Sequence, residues 1–180
     1  MEYKLSDLID LSRLKNLIEL FYKFSAVSTS IIDKDGNIII TTGCQDICSK
    51  FHLANPISFK ECQETHNNIK AYLQQNKHVE YKCQNGLWNV ALPVIIMGKH
   101  VATVSLGQFF YEGEEHDINF FTSRAEKFNF PHDEYMADVK KIPCFTKEKI
   151  KNIMEYYIAL INFIIDRGLS HIKQMEAEKV

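Results

Sequence analysis

The sequence predicts an α+β fold, with a five-stranded antiparallel sheet flanked by helices and an amphipathic helix at each end. Apolar residues recur at helical spacing near the start, β-branched runs broken by turn residues follow, and helical patterns return after Gln108. The 180 residues, 46% of them hydrophobic, are enough for one compact domain with a buried core.

The first segment, LSDLIDLSRLKNLIELFYKFS, repeats apolar residues at a period near 3.6. Leu14, Ile18 and Phe21 share one face while Arg13 and Lys15 lie on the other, as in an amphipathic helix. We therefore expect a single N-terminal helix within residues 1–25.

The next segment, STSIIDKDGNIIITTG, predicts a β-hairpin. Asp35-Gly36 tolerates the positive φ of a tight turn, and Gly43 ends the second strand. The pattern then becomes helical. Ser58 opens a stretch, SFKE, with capping-box spacing, so a helix is expected from about Phe59 to Gln75.

Three further strands are predicted from VEYKC and LWNVALPVIIMGKHVATVSLGQFF. Gly98-Lys99 suits a two-residue turn with glycine first. Pro93 has no amide proton for a ladder, so its strand should form an edge or a bulge at that position.

Two short helices, HDINFFTSRAEKF and PHDEYMADVKK, are expected after the strands. Thr146 is a suitable N-cap for a last helix that runs to about Met175. The expected layout is one domain over residues 1–180, with sheet core at 26–112, C-terminal helices at 113–180 and helices on one side of the sheet. This order of elements is that of PAS- or GAF-like sensor modules.

Composition excludes several classes of function. The net charge is −2 without a basic stripe, which argues against direct nucleic-acid binding. The amino terminus, MEYKLSDLID, is too acidic for a signal peptide, and the longest apolar run, 156–165, is too short to span a bilayer. A cytoplasmic protein without membrane contact is expected, and its five cysteines should be thiols or metal ligands.

The cysteine and histidine spacing allows a metal site. Cys48 and His52 are four residues apart, as are Cys62 and His66, and Cys83 would come from the sheet. Thiolates and imidazoles suit zinc, and three thiolates could begin an iron–sulfur site, but the ligand pairs lack the close spacing of a zinc knuckle. A metal, haem or iron–sulfur redox sensor using Cys48, Cys62 and Cys83, with His66, is the alternative function.

A catalytic role has less support in the sequence. Cys48 with His52 could pair a nucleophile with a base, but no segment resembles a nucleophile turn or an oxyanion hole. We expect no enzymatic activity and no cofactor.

Aromatic and polar residues together suggest a small-molecule pocket. Phe51, Tyr81 and Trp88 would bracket the sheet, and an apolar cavity with a few convergent polar groups is how small ligands are held. Asn85 and Gln108 need partners, because a buried unpaired amide costs about 1–3 kcal/mol. The alternative is that the aromatic residues only fill the core.

The stretch YKCQNGLW, residues 81–88, raises a particular question, because it places a thiol and Asn85-Gly86 beside a buried strand. Glycine permits a close approach of the backbone to another group. We interpret Asn85-Gly86 as such an approach, with Cys83 and Trp88 as cavity walls. The alternative is an ordinary hairpin turn.

Several segments together resemble the PocR-type sensory domain: DICSKFH, YKCQNGL, PVIIMGKHVATVSLGQFF and IPCFTKEKI, over roughly residues 5–170. The resemblance implies a PAS-like sheet around a small-molecule pocket, with short diols such as propanediol as the leading ligands. The family's cysteine pattern falls on Cys48, Cys62 and Cys83, while Cys44 and Cys144 lie outside it. Related sequences often carry an acidic residue where this chain has His66.

The sequence thus predicts a ligand-binding sensory domain of a signalling or transcription-regulatory protein. Its partners would be a short diol or alcohol, a second copy through the terminal helices, and a kinase or DNA-binding output module outside this chain. The predicted ligand-binding residues are Cys48, Phe51, His52, Cys62, Tyr81, Cys83, Asn85, Gly86, Trp88 and Gln108.

Overall fold

A computed structural model describes residues 3–73 and 78–178 of the chain. Short helices and strands alternate in the first two thirds, and one long helix closes the chain. The elements are α1 (Leu5–Leu8), α2 (Leu11–Ser25), β1 (Ser28–Asp33), β2 (Ile38–Thr42), a π-helical turn (Ile47–His52), α3 (Pro56–Leu73), β3 (Val79–Lys82), β4 (Trp88–Ile96), β5 (Lys99–Tyr111), α4 (Ile118–Phe128), α5 (His132–Val139), β6 (Cys144–Phe145) and α6 (Lys147–Ala177).

The central sheet has the strand order β2-β1-β5-β4-β3, and these five strands are antiparallel. The predicted five-stranded, PAS-like sheet is therefore confirmed. A sixth strand, β6, was not predicted, and it pairs in parallel with the end of β5 through Phe110 and Cys144. Two residues are too few to carry a periodic signal.

Helices cover both faces of the sheet, so the expectation of helices on one side was wrong. Val90 and Leu92 belong to the main core beneath α2 and α6, whereas Ala91 packs against Ile69 and Leu73 of α3. Neighbouring residues of a strand point to opposite faces, so β4 is buried on both. The nearly continuous apolar run of β4 is typical of such a strand.

The predicted N-terminal helix is broken in two. Asp10 lies between α1 and α2, and its carboxylate accepts hydrogen bonds from the backbone amides of Ser12 at 2.8 Å and Arg13 at 3.3 Å. An aspartate in this role starts a new helix, which outweighs the continuous apolar pattern around it.

The start of α3 also differs from the prediction. Asn55 Oδ1 accepts from the backbone amides of Ile57 at 3.0 Å and Ser58 at 3.1 Å, and Pro56 is the first helical residue. Asn-Pro is a strong start signal, because asparagine caps the helix and proline is preset for its first turn. Ser58 is instead a fully buried residue of that turn. The predicted helix end near Gln75 lies outside the described residues.

One of the two predicted hairpin turns and the prediction for Pro93 agree with the structure. The β1–β2 turn contains Gly36 as predicted, and Pro93 lies beyond the last β4 residue that pairs with β3. The β4–β5 turn is Met97-Gly98 rather than Gly98-Lys99, with φ values of 50° and 77°. Two positive φ values belong to a type I′ turn, in which glycine takes the second position.

The C-terminal helices follow the prediction. The helices α4 and α5 lie within their predicted segments, and Thr146 Oγ1 accepts from the Lys149 amide at 3.0 Å as the N-cap of α6. Within residues 3–73 and 78–178, no helix is both long and apolar enough to cross a bilayer.

Candidate ligand-binding site

A second hydrophobic cluster lies at one end of the sheet, separate from the main core beneath α1, α2 and α6. The π-helical turn, the β3–β4 connection, α4 and α5 all contribute to it. Two predicted site residues, Cys48 and Phe51, are members. Its other buried members are Ile47, Leu87, Phe110, Phe121, Ala125, Tyr135, Met136, Val139 and Ile142.

Gln108 forms a β-bulge that shapes this end of the sheet. Asn89 pairs with Gly107 and Trp88 with Phe109, so Gln108 is an extra residue in β5, and its φ is +65°. A positive φ is uncommon for a residue with a side chain. The bulge shifts the alternation of β5, and Phe110 therefore enters the second cluster.

The Gln108 side chain is bonded to the loop after β2. Its Oε1 accepts from the Gln45 backbone amide at 2.5 Å, and its Nε2 donates to Cys44 Sγ at 3.5 Å. Both ends of the predicted ligand-binding amide thus have protein partners. Gln108 connects the bulge to the segment that enters the π-helical turn.

The π-helical turn presents Cys48, Phe51 and His52 to the interior. Turns of this kind are rare and are frequent at functional sites. His52 is 1% exposed, with Nε2 hydrogen-bonded to the Tyr135 hydroxyl at 2.9 Å and Nδ1 at 3.7 Å from Cys48 Sγ. Burial, together with the charge of Arg124, lowers the pKa of His52 to about 3. The ring is therefore neutral near pH 7.

The buried His52 predicts an acid-sensitive fold. The unfolded chain protonates this residue below its ordinary pKa of 6.5, whereas the folded chain does so only near 3. Stability therefore falls as the pH drops from 6.5 toward 3, by at most about 1.4 kcal/mol per pH unit from this group. Urea unfolding of the wild type and of His52→Gln at pH 7 and pH 5 measures it, with His132→Gln as a surface control. Equal pH slopes in all three proteins would contradict the prediction.

Asn85 is also fully bonded within the protein. It is 1% exposed, its Oδ1 accepts from the Arg124 guanidinium and from the Ser58 hydroxyl, and its Nδ2 donates to Cys62 Sγ at 3.2 Å. The partners that the sequence required for Asn85 are therefore side chains of α3 and α4. This joins the β3–β4 turn to both helices.

Arg124 is a central residue that the sequence reasoning missed. It is 8% exposed, pairs with Glu61, and leaves its buried Nε without a hydrogen-bond partner. Lys127 reaches the other oxygen of Glu61 at 2.6 Å. Arg124 lies on the face of α4 that also buries Phe121 and Phe128. In the sequence, Arg124 occupies a position on the face of α4 where the helical period predicts an apolar residue. That pattern could have identified it.

The cysteines do not form a metal centre. Burial raises the pKa of Cys48 and raises that of Cys62 to about 11, so both remain protonated thiols near pH 7. All five cysteines are free, and among the described residues no three His, Cys, Asp or Glu side chains converge as metal ligands. The alternative set of Cys48, Cys62, Cys83 and His66 therefore does not assemble in this structure.

Two predicted aromatic residues lie away from the second cluster. Trp88 packs against the main core on the opposite face of the sheet, and its Nε1 donates to Glu114 at 2.7 Å. It is therefore not a cavity wall beside Cys83. Tyr81 packs against Ile69 and Ala91 in the small cluster beneath α3. Both positions follow from strand alternation along β3 and β4.

A cleft of about 330 Å³ opens beside the second cluster. Its volume is near the lower end of the range for small-molecule sites. Phe110, Phe120 and Phe121 make its inner wall, and Cys83 and Gly86 line it as predicted. His52, Asn85 and Gln108 do not line this cleft and are hydrogen-bonded to other protein groups, so their predicted contact with a ligand stays a prediction. The polar residues that line the cleft, and that form its rim, are Lys82, Gln84, Glu115, His116 and Asp117.

Gly86 shows why the YKCQNGLW stretch contains a glycine. Its φ is +83°, and the Gly86 amide donates to the Cys83 carbonyl at 2.8 Å to close the turn. A Cβ at this position would lie 2.6 Å from a ring carbon of Phe120. The predicted close approach is therefore confirmed, and the approached group is an aromatic wall of the cleft.

A comparison with protein families shows which family the chain belongs to. The sequence model of the family described as "Sensory domain found in PocR" matches residues 7–169. The chain belongs to this family. The predicted resemblance over roughly residues 5–170 is thus confirmed, and the domain is identified as a sensory one. The family match covers every predicted site residue.

This PocR sensory domain was also compared with individual curated proteins and with solved structures. No curated protein matches the chain. One solved structure with a similar fold is described as "The crystal structure of the GAF domain/HD domain protein from Geobacter sulfurreducens". It shows 10% sequence identity and a TM-score of 0.47, and the match covers 93% of this chain and 99% of that chain.

Proposed function

We propose that this PocR domain binds a short diol, such as propanediol, or a similar small hydrocarbon derivative in the cleft beside Cys83. The cleft itself carries the proposal, because an aromatic inner wall meets a polar rim at the predicted YKCQNGLW turn. The domain would have no catalytic activity of its own. It would instead control an output kinase or DNA-binding module outside these residues.

The chemistry of the cleft suits a molecule with a short hydrocarbon part and hydroxyl groups. The phenylalanine rings offer apolar contact, and the imidazole of His116 with the carboxylate of Asp117 offers hydrogen-bonding groups at the rim. His116 also stacks on Phe110, with ring centroids 4.0 Å apart. A hydroxyl bound at His116 would therefore lie close to the aromatic wall.

The cleft has a structural route to the terminal helix. His116 Nε2 lies 3.7 Å from Cys144 Sγ, and Cys144 belongs to β6, which precedes α6. A ligand that displaces His116 would act on β6 and then on α6. Such a signal requires different affinities for two arrangements of these elements, since a ligand shifts an equilibrium only by that difference.

A homodimer is part of the proposal. On α2 the side chains of Leu20 and Phe24 are 54% and 88% exposed, and on α6 Phe163 is 61% exposed. Exposed large apolar residues on both terminal helices support an interface between two copies through them. Sedimentation or light scattering of the wild type and of Phe24→Ser tests this part separately.

A thermal shift with 1,2-propanediol tests the ligand assignment. At a concentration near 100 times Kd, binding stabilises the fold by about 2.7 kcal/mol, which should raise Tm by several degrees, at about 2–4 °C per kcal/mol for this size. Phe120→Ala and His116→Ala, which change the cleft lining, should abolish the shift. His132→Ala, an exposed residue of α5 outside the cleft, should keep it.

Two outcomes would contradict the assignment. If a panel of short diols and alcohols gives no shift with wild type, the ligand class is wrong. If the shift persists in both cleft variants, the ligand binds elsewhere in the domain.

A further inference from the structure

A wide groove lies at the opposite end of the β4–β5 hairpin from the cleft. Its volume is about 1030 Å³. It lies between the end of α3, the part of β4 that extends past β3, the hairpin turn, and the middle of α6. No residue that lines the cleft also lines the groove, so the two sites are separate.

The rim of the groove is cationic. Lys34, Lys70 and Lys99 line it together with His100, and none of the described residues that line it is acidic. Lys70 Nζ donates to the Lys34 carbonyl, which fixes its ammonium group at the rim. Burial and the charge of Lys70 both lower the pKa of His100, so the positive potential comes from the lysines. A cleft lined by charges of one sign concentrates oppositely charged ligands.

The floor of the groove is apolar. Ile158, Ile161 and Ile165 of α6 are half-buried along one helix face, and the buried side chains of Leu73 on α3 and Leu92 on β4 also line the groove. Ile95 adds a further aliphatic side chain at the edge. An elongated hydrocarbon placed here would therefore be covered on two sides.

The combination of a cationic rim and an aliphatic floor selects an anionic amphiphile. A flat bilayer surface does not fit, because the isoleucines lie in a concavity between α3 and α6. An added peptide strand also fits poorly, since Pro93 gives this part of β4 no amide proton. A single fatty chain with a carboxylate head satisfies both the charge and the shape.

We propose that the groove binds a free medium-chain fatty carboxylate, with its head group at Lys70 and Lys99 and its chain along the isoleucines of α6. The groove is lined by residues of both the sheet and α6, so an occupant would contact α6 directly. The cleft is connected to the same helix through β6. The site is independent of the diol assignment. Its occupancy would be a second chemical input to the domain.

Isothermal titration with sodium decanoate, below its micelle concentration, tests the site on the whole chain. Saturable one-to-one binding is expected for the wild type. Lys99→Glu, at the exposed hairpin end, should weaken it about tenfold by removing a cation from the rim and adding an anion. Lys60→Glu, an exposed residue on α3 outside the groove, makes the same charge change and should bind decanoate as the wild type does.

Three results would overturn the proposed fatty-carboxylate site. Equal weakening by Lys99→Glu and Lys60→Glu would reduce the interaction to overall charge and overturn the site. Binding of decan-1-ol as tight as that of decanoate would exclude a role for the lysines. Binding to anionic phosphatidylglycerol vesicles without binding of monomeric decanoate would assign the groove to a membrane surface. A 1,2-propanediol shift that is unaffected in Lys99→Glu keeps this test separate from that of the cleft.

Discussion

Replacing Glu61 with glutamine is expected to lower the free energy of unfolding by about 3 kcal/mol, because it removes the counter-charge of the buried Arg124 guanidinium. Arg124 is 8% exposed, and Glu61 is its carboxylate partner. In Glu61→Gln the guanidinium remains buried, next to the neutral amide of Asn85. A buried cation without a counter-charge is among the few causes of such large losses.

The matched control is the other partner of the same carboxylate. Lys127 pairs with Glu61 at 2.6 Å, but its side chain is 52% exposed. Lys127→Met should therefore cost less than about 1 kcal/mol. Urea unfolding of the three proteins measures both changes. Similar losses in Glu61→Gln and Lys127→Met would show that burial of Arg124 does not set the cost.

The same pair predicts a second, lower acid transition. Burial raises the pKa of Glu61, but hydrogen bonds from Lys127 and Arg124 outweigh it and leave the pKa below its ordinary value of 4.5. The stabilisation is thus present above the ordinary carboxyl pKa and is lost as the pH falls through the lowered value. The contribution of His52 declines earlier, from pH 6.5 downward. Glu61→Gln should remove the lower component and keep a decline that begins near pH 6.5.

Most of the fold could be predicted because it depends on periodicity. The alternating runs at Ile31 and Ile40 and the apolar face of α6 repeat over many residues, so single exceptions do not obscure them. Features set by one side chain were harder to predict. Asp10 interrupts a continuous helical pattern and Asn55 starts α3 three residues early, because each side chain captures backbone amides locally.

The residues of the site were easier to predict than their arrangement. Cys83 and Gly86 line the cleft as predicted. They could be predicted because a glycine in a turn indicates a close approach of the backbone from the sequence alone. The sequence cannot show that Gln108 is a bulge residue, because a bulge depends on pairing with another strand. In the structure both ends of the Gln108 amide bond to protein groups, and its assignment to a ligand stays a prediction.

The polar residues show why the sequence alone does not determine the partners of a buried side chain. The sequence shows that a buried amide needs a partner, but it does not show whether that partner is a ligand or the protein. The Asn85 side chain is hydrogen-bonded to Arg124, Ser58 and Cys62, which lie 23 to 39 residues away along the chain. Partners at such separations come together only in the folded chain, so His116 and Arg124 became visible only in the structure.

Substituting Gly86 by alanine is expected to lower the free energy of unfolding by about 2–4 kcal/mol, from a strained backbone and steric overlap together. The φ of +83° disfavours any side chain. The new methyl would also lie 2.6 Å from Phe120 and 3.2 Å from Phe121. Phe120 must move away, which should also open or distort the cleft and weaken any ligand shift.

A substitution at Gly113 is the control that distinguishes backbone strain from steric overlap. Its φ is +84°, almost the same as that of Gly86, but nothing lies within 4 Å of the Cβ it would acquire. Gly113→Ala should therefore cost about 1–2 kcal/mol from the backbone alone, and the remainder at Gly86 is overlap. In a Phe120→Ala background, Gly86→Ala should cost less by most of that remainder, as a double-mutant cycle measures. If Gly86→Ala costs the same in both backgrounds, contact with Phe120 is not why this turn requires glycine.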